Sequence, residues 1–180
     1  LVLTCLALML AVRALQSLIS LPARAREWRM QRREHAAQAA LRDAMADYFG
    51  ARYGRAQKAA ARTVAIHDAT PELAGDLQTR MLAHLLWGAS LHRLQDRPRR
   101  DQQLDHLRRL RRLGGPRKGG DEGIQLMAAE WALDDRDATR ALELIAELPP
   151  GVARRTQALR LKLQAQRLAH QPHEALRTAR

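Results

Sequence analysis

The chain has 180 residues, of which 28% are charged and only 3% aromatic, and its formal net charge is +12. Ala, Leu and Arg dominate and there is one cysteine, which excludes a disulfide-stapled miniprotein, a collagen, a Gly/Ser linker and a Cys-cluster metal site. Ten of the twelve excess positive charges fall within residues 24–33 and 95–120. Two short basic stretches with no stacking aromatic but Trp28 do not make the distributed face that nucleic acid needs, so no nucleic-acid partner is expected. Abundant Ala and Leu with few β-branched or aromatic residues predict an all-α chain.

Residues 1–21 form a nearly continuous apolar run interrupted by Arg13. About 20 such residues span a hydrocarbon core, and Arg13 is tolerable if it sits near an interface where it can snorkel. A transmembrane helix is therefore expected here, truncated at its start because Leu1 is not an initiator Met. A secretory signal peptide lacks support: no basic region precedes the run and no small-residue cleavage site follows it. Pro22 is expected to end the helix. Residues 22–33 then make a basic juxtamembrane segment, with Arg24, Arg26, Arg29, Arg32 and Arg33 around Trp28. Arg-rich flanks stay on the cytoplasmic side and Trp prefers the headgroup level, so these six are the membrane-interface residues and the remainder is expected to be cytoplasmic.

From residue 34 to residue 180 the apolar spacing is helical almost throughout. Leu41, Met45 and Tyr48 define one face, Gly50 and Gly54 a turn, and Ala56, Ala60 and Val64 the next face. Thr70-Pro71-Glu72 reads as a helix start, with a hydroxyl cap, a proline where no N–H is needed, and an acid in the first turn. The helix it opens carries Leu73, Leu77, Leu82, Leu85, Leu86 and Ala89, and Asp96 to Pro98 breaks it. Leu104, Leu107, Leu110 and Leu113 continue, and the glycine-rich stretch 114–120 is a loop. Ile124, Met127 and Trp131 lead to a turn at Asp134–Asp137 and to Leu142, Ile145 and Leu148. Val152, Leu159, Leu163 and Gln166 follow Pro149-Pro150-Gly151, and Gln171-Pro172 opens the last helix. Ala141-Leu142 recurs as Ala175-Leu176, each pair just after a polar turn, with Tyr53 to Ala56 in the equivalent place. The separation of the two pairs is that of the tetratricopeptide signature, a helix–turn–helix period of about 34 residues. Residues 34–180 are therefore expected to form tetratricopeptide-like antiparallel pairs in a solenoid, incomplete at the C-terminus.

The membrane helix, the basic segment, Ala36 to Met45 and Tyr53-Gly54-Arg55-Ala56-Gln57-Lys58-Ala59-Ala60-Ala61-Arg62 together resemble the HemY family. Leu94 to Asp101, Met127 to Leu133 and Ala141-Leu142 extend the likeness. The family consists of proteobacterial inner-membrane tetratricopeptide proteins associated with late steps of haem (protohaem IX) biosynthesis. The resemblance implies a non-enzymatic scaffold in the bacterial inner membrane whose partners are proteins, late haem-pathway enzymes among them. It also implies that a first membrane helix is missing and that the 114–120 loop is an insertion. An envelope-biogenesis co-chaperone of the same architecture and a haem or porphyrin carrier are the alternatives. A flavin-dependent oxidase that shares the name is excluded, because no G-x-G-x-x-G follows a strand.

No residue is assigned a catalytic, cofactor-binding or metal role. His84 and His92, eight apart, allow a haem or metal between them, but partly exposed surface histidines are the favoured reading. Gly115 to Gly120 has phosphate-loop spacing, yet Asp121-Glu122 stands where Lys-Ser/Thr is needed. Asp134-Asp135-Arg136-Asp137 lacks the Gly and the final Glu of a calcium loop and reads as a helix cap. Arg108, Arg109, Arg111 and Arg112 form the sharpest charged feature, either a contact for a partner or anionic lipid or a solvated face whose leucines pack inward.

Overall fold

A computed structural model describes the backbone of residues 2–113 and 120–178, and side chains over 27–113, 122–171 and 173–178 together with Met9. The described residues are helical and contain no strand. They form α1 (Val2–Phe49), α2 (Tyr53–Asp68), α3 (Leu77–Arg93), α4 (Arg97–Leu113), α5 (Gly120–Asp134), α6 (Ala138–Ala146), α7 (Pro150–Ala153), α8 (Thr156–Leu168) and α9 (Pro172–Thr178). The chain divides into two compact units, Leu1–Ala83 and His84–Arg180.

Pro22 does not end a helix, contrary to the sequence reading: it lies inside α1. A proline removes one backbone donor and crowds one carbonyl, a local cost of about 3 kcal/mol that long flanks of Ala, Leu and Arg can carry. Among the described residues no helix is long and apolar enough to cross a membrane. The side chains of the expected membrane segment 1–21, Met9 apart, lie outside the described set, as do those of Arg24 and Arg26.

Within the first unit, α1 and α2 pack through alanines. Ala37, Ala40 and Ala44 are buried on α1 against Ala56, Ala60, Thr63 and Val64 on α2. The expected face of Leu41, Met45 and Tyr48 is only partly buried, and Met45 is exposed. Small side chains let two helix backbones approach closely, which a count of large apolar residues does not register. Thr63 Oγ1 donates to the carbonyls of Ala37 and Ala59 at 3.5 and 3.2 Å, so its hydroxyl is satisfied within the contact. Thr70-Pro71-Glu72 does start a helix, with Thr70 at the N-cap, but it is only the single 3-10 turn Pro71–Leu73, and the Thr70 hydroxyl makes no capping bond, its Oγ1 accepting from Arg33 at 3.4 Å instead. Helix α3 begins six residues later, where Asp76 Oδ1 accepts from the Thr79 N–H at 3.1 Å; an ionised carboxylate is the stronger cap.

In the second unit, Ala132, Ala141 and Ala165 form a core cluster joining α5, α6 and α8, with Leu133 and Leu142 packed on it. Gly88 marks a close crossing of α3 with α4 and α5, since a Cβ there would lie 3.3 Å from both Gln103 Cβ and the Trp131 ring. Leu104, Leu107 and Leu110 are buried as expected, whereas Leu113 is exposed. On α8 the buried positions are Ala158, Leu161, Ala165 and Gln166, and the expected Leu159 is exposed. The expected 114–120 loop lies outside the described residues up to Gly120, which opens α5.

Among the described residues, four helix ends share one turn. Ala51, Gln95, Arg136 and His170 have φ of 57°, 60°, 62° and 56°. Each donates its N–H to the carbonyl three residues back, and the next residue (Arg52, Asp96, Asp137, Gln171) donates to the carbonyl five back, at 2.8–3.2 Å. A left-handed residue followed by a 6→1 bond satisfies the last carbonyls of a helix and reverses the chain. The next helix starts at once: Asp96 and Asp137 accept from the N–H three residues on, at 3.2 and 2.9 Å. The helices joined in this way are α1/α2, α3/α4, α5/α6 and α8/α9. Arg136 and His170, which form the last two turns, are separated by one repeat of about 34 residues.

Candidate functional site

The second unit holds a cleft of about 450 Å³ between α4, α5 and α6. Its wall is a buried ionic cluster built on Arg100. The α4 spacing that turns Leu104 and Leu107 inward also turns Arg100 inward, so its charge needs partners. Arg100 donates to Asp135 Oδ2 and Asp101 Oδ1, both at 2.8 Å, and to His92 Nδ1 at 3.2 Å, and its guanidinium lies 5.6 Å from the centre of the Trp131 ring. Burial works against this charge, but Asp135 and Asp101 outweigh it and raise the guanidinium further above its ordinary value. An arginine has only donors, so His92 Nδ1 accepts and the ring N–H on Nε2 donates to Asp134 at 3.0 Å. The imidazole also stacks on Trp131, centroids 5.1 Å apart. Arg97 adds a 3.0 Å bond to Asp135.

These contacts correct the histidine reading. His84 and His92 are both buried. His84 Nδ1 lies 2.8 Å from Gln103 Oε1, and its ring stacks on His106, 5.2 Å between centroids. The two histidines are held by separate partners and do not converge on a shared ligand. Among the described residues no group of three or more His, Cys, Asp or Glu could hold a metal.

The Arg108–Arg112 run is sorted by the helix. Arg108 is half-buried and paired with Asp105 at 3.2 Å, Arg109 and Arg112 are exposed, and Arg111 is buried, so it is not the surface contact that the sequence suggested. A residue one position after Leu110 shares the inward stripe in a helix of about 3.6 residues per turn. Arg108 and Arg112 line a second cleft of about 350 Å³ with Arg140, Leu144 and Glu147. At the other end of the chain Trp28 is exposed, with the Arg32 guanidinium 5.4 Å from its ring centre. Arg29 and Arg33 are exposed, and Arg33 reaches the Ala69 carbonyl at 3.4 Å.

A groove of about 520 Å³ that was not expected from the sequence lies between α1 and α2. Alanines 40, 46 and 59 line it, with Asp43 and Asp47 on α1 and Arg52, Arg55, Lys58 and Arg62 on α2 or in the turn before it. Asp47 is buried and bonded by Arg52 at 2.6 Å and Arg55 at 3.3 Å. The i, i+3, i+7 spacing of Arg55, Lys58 and Arg62 was the available signal.

Residues 1–84 match the family model described as the HemY protein N-terminus. No curated protein and no solved structure matches the chain. The matched region ends within one residue of the division between the two units, so it contains the whole α1/α2 pair and its groove. Residues 1–84, just under half of the chain, thus carry a HemY-type N-terminal region.

Proposed function

We propose that this protein is a membrane-anchored tetratricopeptide scaffold acting in the late steps of haem biosynthesis by protein–protein interaction rather than by catalysis. The match of residues 1–84 to the HemY N-terminus supports the association with haem biosynthesis. The observation that carries the scaffold reading is the recurrence of one left-handed turn in four helix pairs, the last two turns one repeat of about 34 residues apart. Stacked pairs of this kind make extended surfaces suited to holding partner segments. Residues 1–21 are the anchor in the bacterial inner membrane, with Arg24, Arg26, Trp28, Arg29, Arg32 and Arg33 at the cytoplasmic headgroup level. Arg108, Arg109 and Arg112 contribute to partner or lipid contact from the cytoplasmic part.

The test is in-cell cross-linking of the full-length protein followed by mass spectrometry of what co-purifies in detergent. Late haem-biosynthetic enzymes are expected among the cross-linked partners. Recovery of secretion or outer-membrane assembly machinery without any haem enzyme would replace the scaffold by the envelope co-chaperone.

A further inference from the structure

We infer that the α1/α2 groove is a docking site for an acidic helical segment of a protein partner; the inference deepens the scaffold reading and rests on it. The groove is lined by four cations and two carboxylates. Asp47 takes up Arg52 and Arg55, while Lys58 and Arg62 are exposed and make no ion pair among the described residues. Set against Asp43, the other carboxylate of the groove, Lys58 and Arg62 carry the excess positive charge, and Arg55, though paired with Asp47, keeps its side chain 74% exposed beside them. Three cations at i, i+3 and i+7 occupy one stripe about 10 Å long, the spacing at which carboxylates repeat along one face of a second helix. The rest of the lining is Ala40, Ala46 and Ala59 with Asp43 and Asp47, and the alanines leave room for a helix backbone to lie close.

Distance separates a protein occupant from a lipid one. With Trp28 at headgroup level and α1 running along the membrane normal, as the anchor reading has it, α1 climbs away from the membrane by about 1.5 Å per residue. The bond from Thr63 to the Ala37 carbonyl fixes the register of α2 against it. The stripe then runs from about 15 Å to about 25 Å beyond the headgroups along α1. The field of an anionic leaflet decays within about 8 Å at physiological salt. Lipid headgroups are out of reach, and an acidic protein segment is not.

The probe is a fluorescein-labelled, alanine-based helical peptide with glutamates at i, i+3 and i+7, titrated against the full-length protein in detergent by fluorescence anisotropy. Binding should weaken with salt, and R55Q/K58Q/R62Q should lower affinity about tenfold, three solvated ion pairs' worth. R160Q/K162Q, altering two exposed cations on α8, should leave both the affinity and its salt dependence unchanged. A peptide with lysines at the same positions should not bind. Equal affinity of the wild type and the triple variant would overturn the inference, and so would loss of anionic-vesicle binding on the same triple substitution, which would make the stripe a lipid contact. Cross-links to haem enzymes that persist in the triple variant would remove this groove and leave the scaffold standing. Their absence from the wild type, with peptide binding intact, would remove the scaffold and leave the groove.

Discussion

Asp76 caps α3 and faces a buried histidine: its Oδ2 lies 3.5 Å from His67 Nε2, while His67 Nδ1 is 2.9 Å from the Thr63 carbonyl. Burial acts to raise its pKa, but the Thr79 hydrogen bonds and His67 outweigh that and hold it below the ordinary 3.8. A carboxyl with a lowered folded pKa stabilises the fold above its unfolded value and loses that contribution as pH falls through the folded one. Asp76→Asn keeps a capping oxygen and removes the charge, so it should lower Tm at pH 7, and the gap to wild type should close below about pH 3.8. A gap of constant size from neutral pH down to strongly acid pH in thermal melts would show that the charge contributes nothing. The sequence offered Thr70 for this cap because the hydroxyl, proline and acid stand in the right order. In the fold Arg33 engages the Thr70 hydroxyl from 37 residues away, and Asp76 caps α3. His84 and His92 were misread for the same reason, since their partners lie 19 and 42 residues along the chain.

The elements themselves were largely legible, because periodicity, Gly and Pro mark helices and their ends. The turn that unites them was not, since Ala, Gln, Arg and His occupy a position where glycine is the usual signal. A side chain held in the left-handed region costs about 1 kcal/mol relative to glycine. Arg136→Gly and Ala51→Gly should therefore each stabilise the protein by up to about 1 kcal/mol in urea unfolding, and together add, being far apart in sequence and in different units. Destabilisation by both would mean that these residues do not adopt the left-handed conformation. The alanine face of α1 escaped the sequence for a different reason: Leu41 and Met45 dominate a hydropathy reading, while close helix approach selects for small volume.

Across the whole molecule, the formal charge of +12 overstates the free positive charge that a partner meets. In the 95–113 stretch Arg97, Arg99, Arg100 and Arg108 are in ion pairs and Arg111 is buried, which leaves Arg109 and Arg112 facing outward. Charge counting located the stretch, but which of its arginines point outward depends on the rotation of α4 against its neighbours. R109E/R112E should leave stability within about 0.5 kcal/mol of wild type, whereas Arg111→Ala should cost about 2 kcal/mol through lost packing of its stem. Circular dichroism melts check both, and equal effects would mean that the run is a uniformly solvated face. The burial of Trp131 beneath His92 and Arg100, together with an exposed Trp28, also gives the protein its own optical readout once the half-buried Trp87 is replaced by phenylalanine. Trp28 should emit at long wavelength and yield to iodide, or to brominated lipid where it meets a bilayer. Trp131 should emit to the blue, shielded from iodide and dimmed by the stacked imidazole, and brighten when the ionic cluster opens. One unlabelled sample can thus follow the surroundings of Trp28 and the opening of the ionic cluster separately.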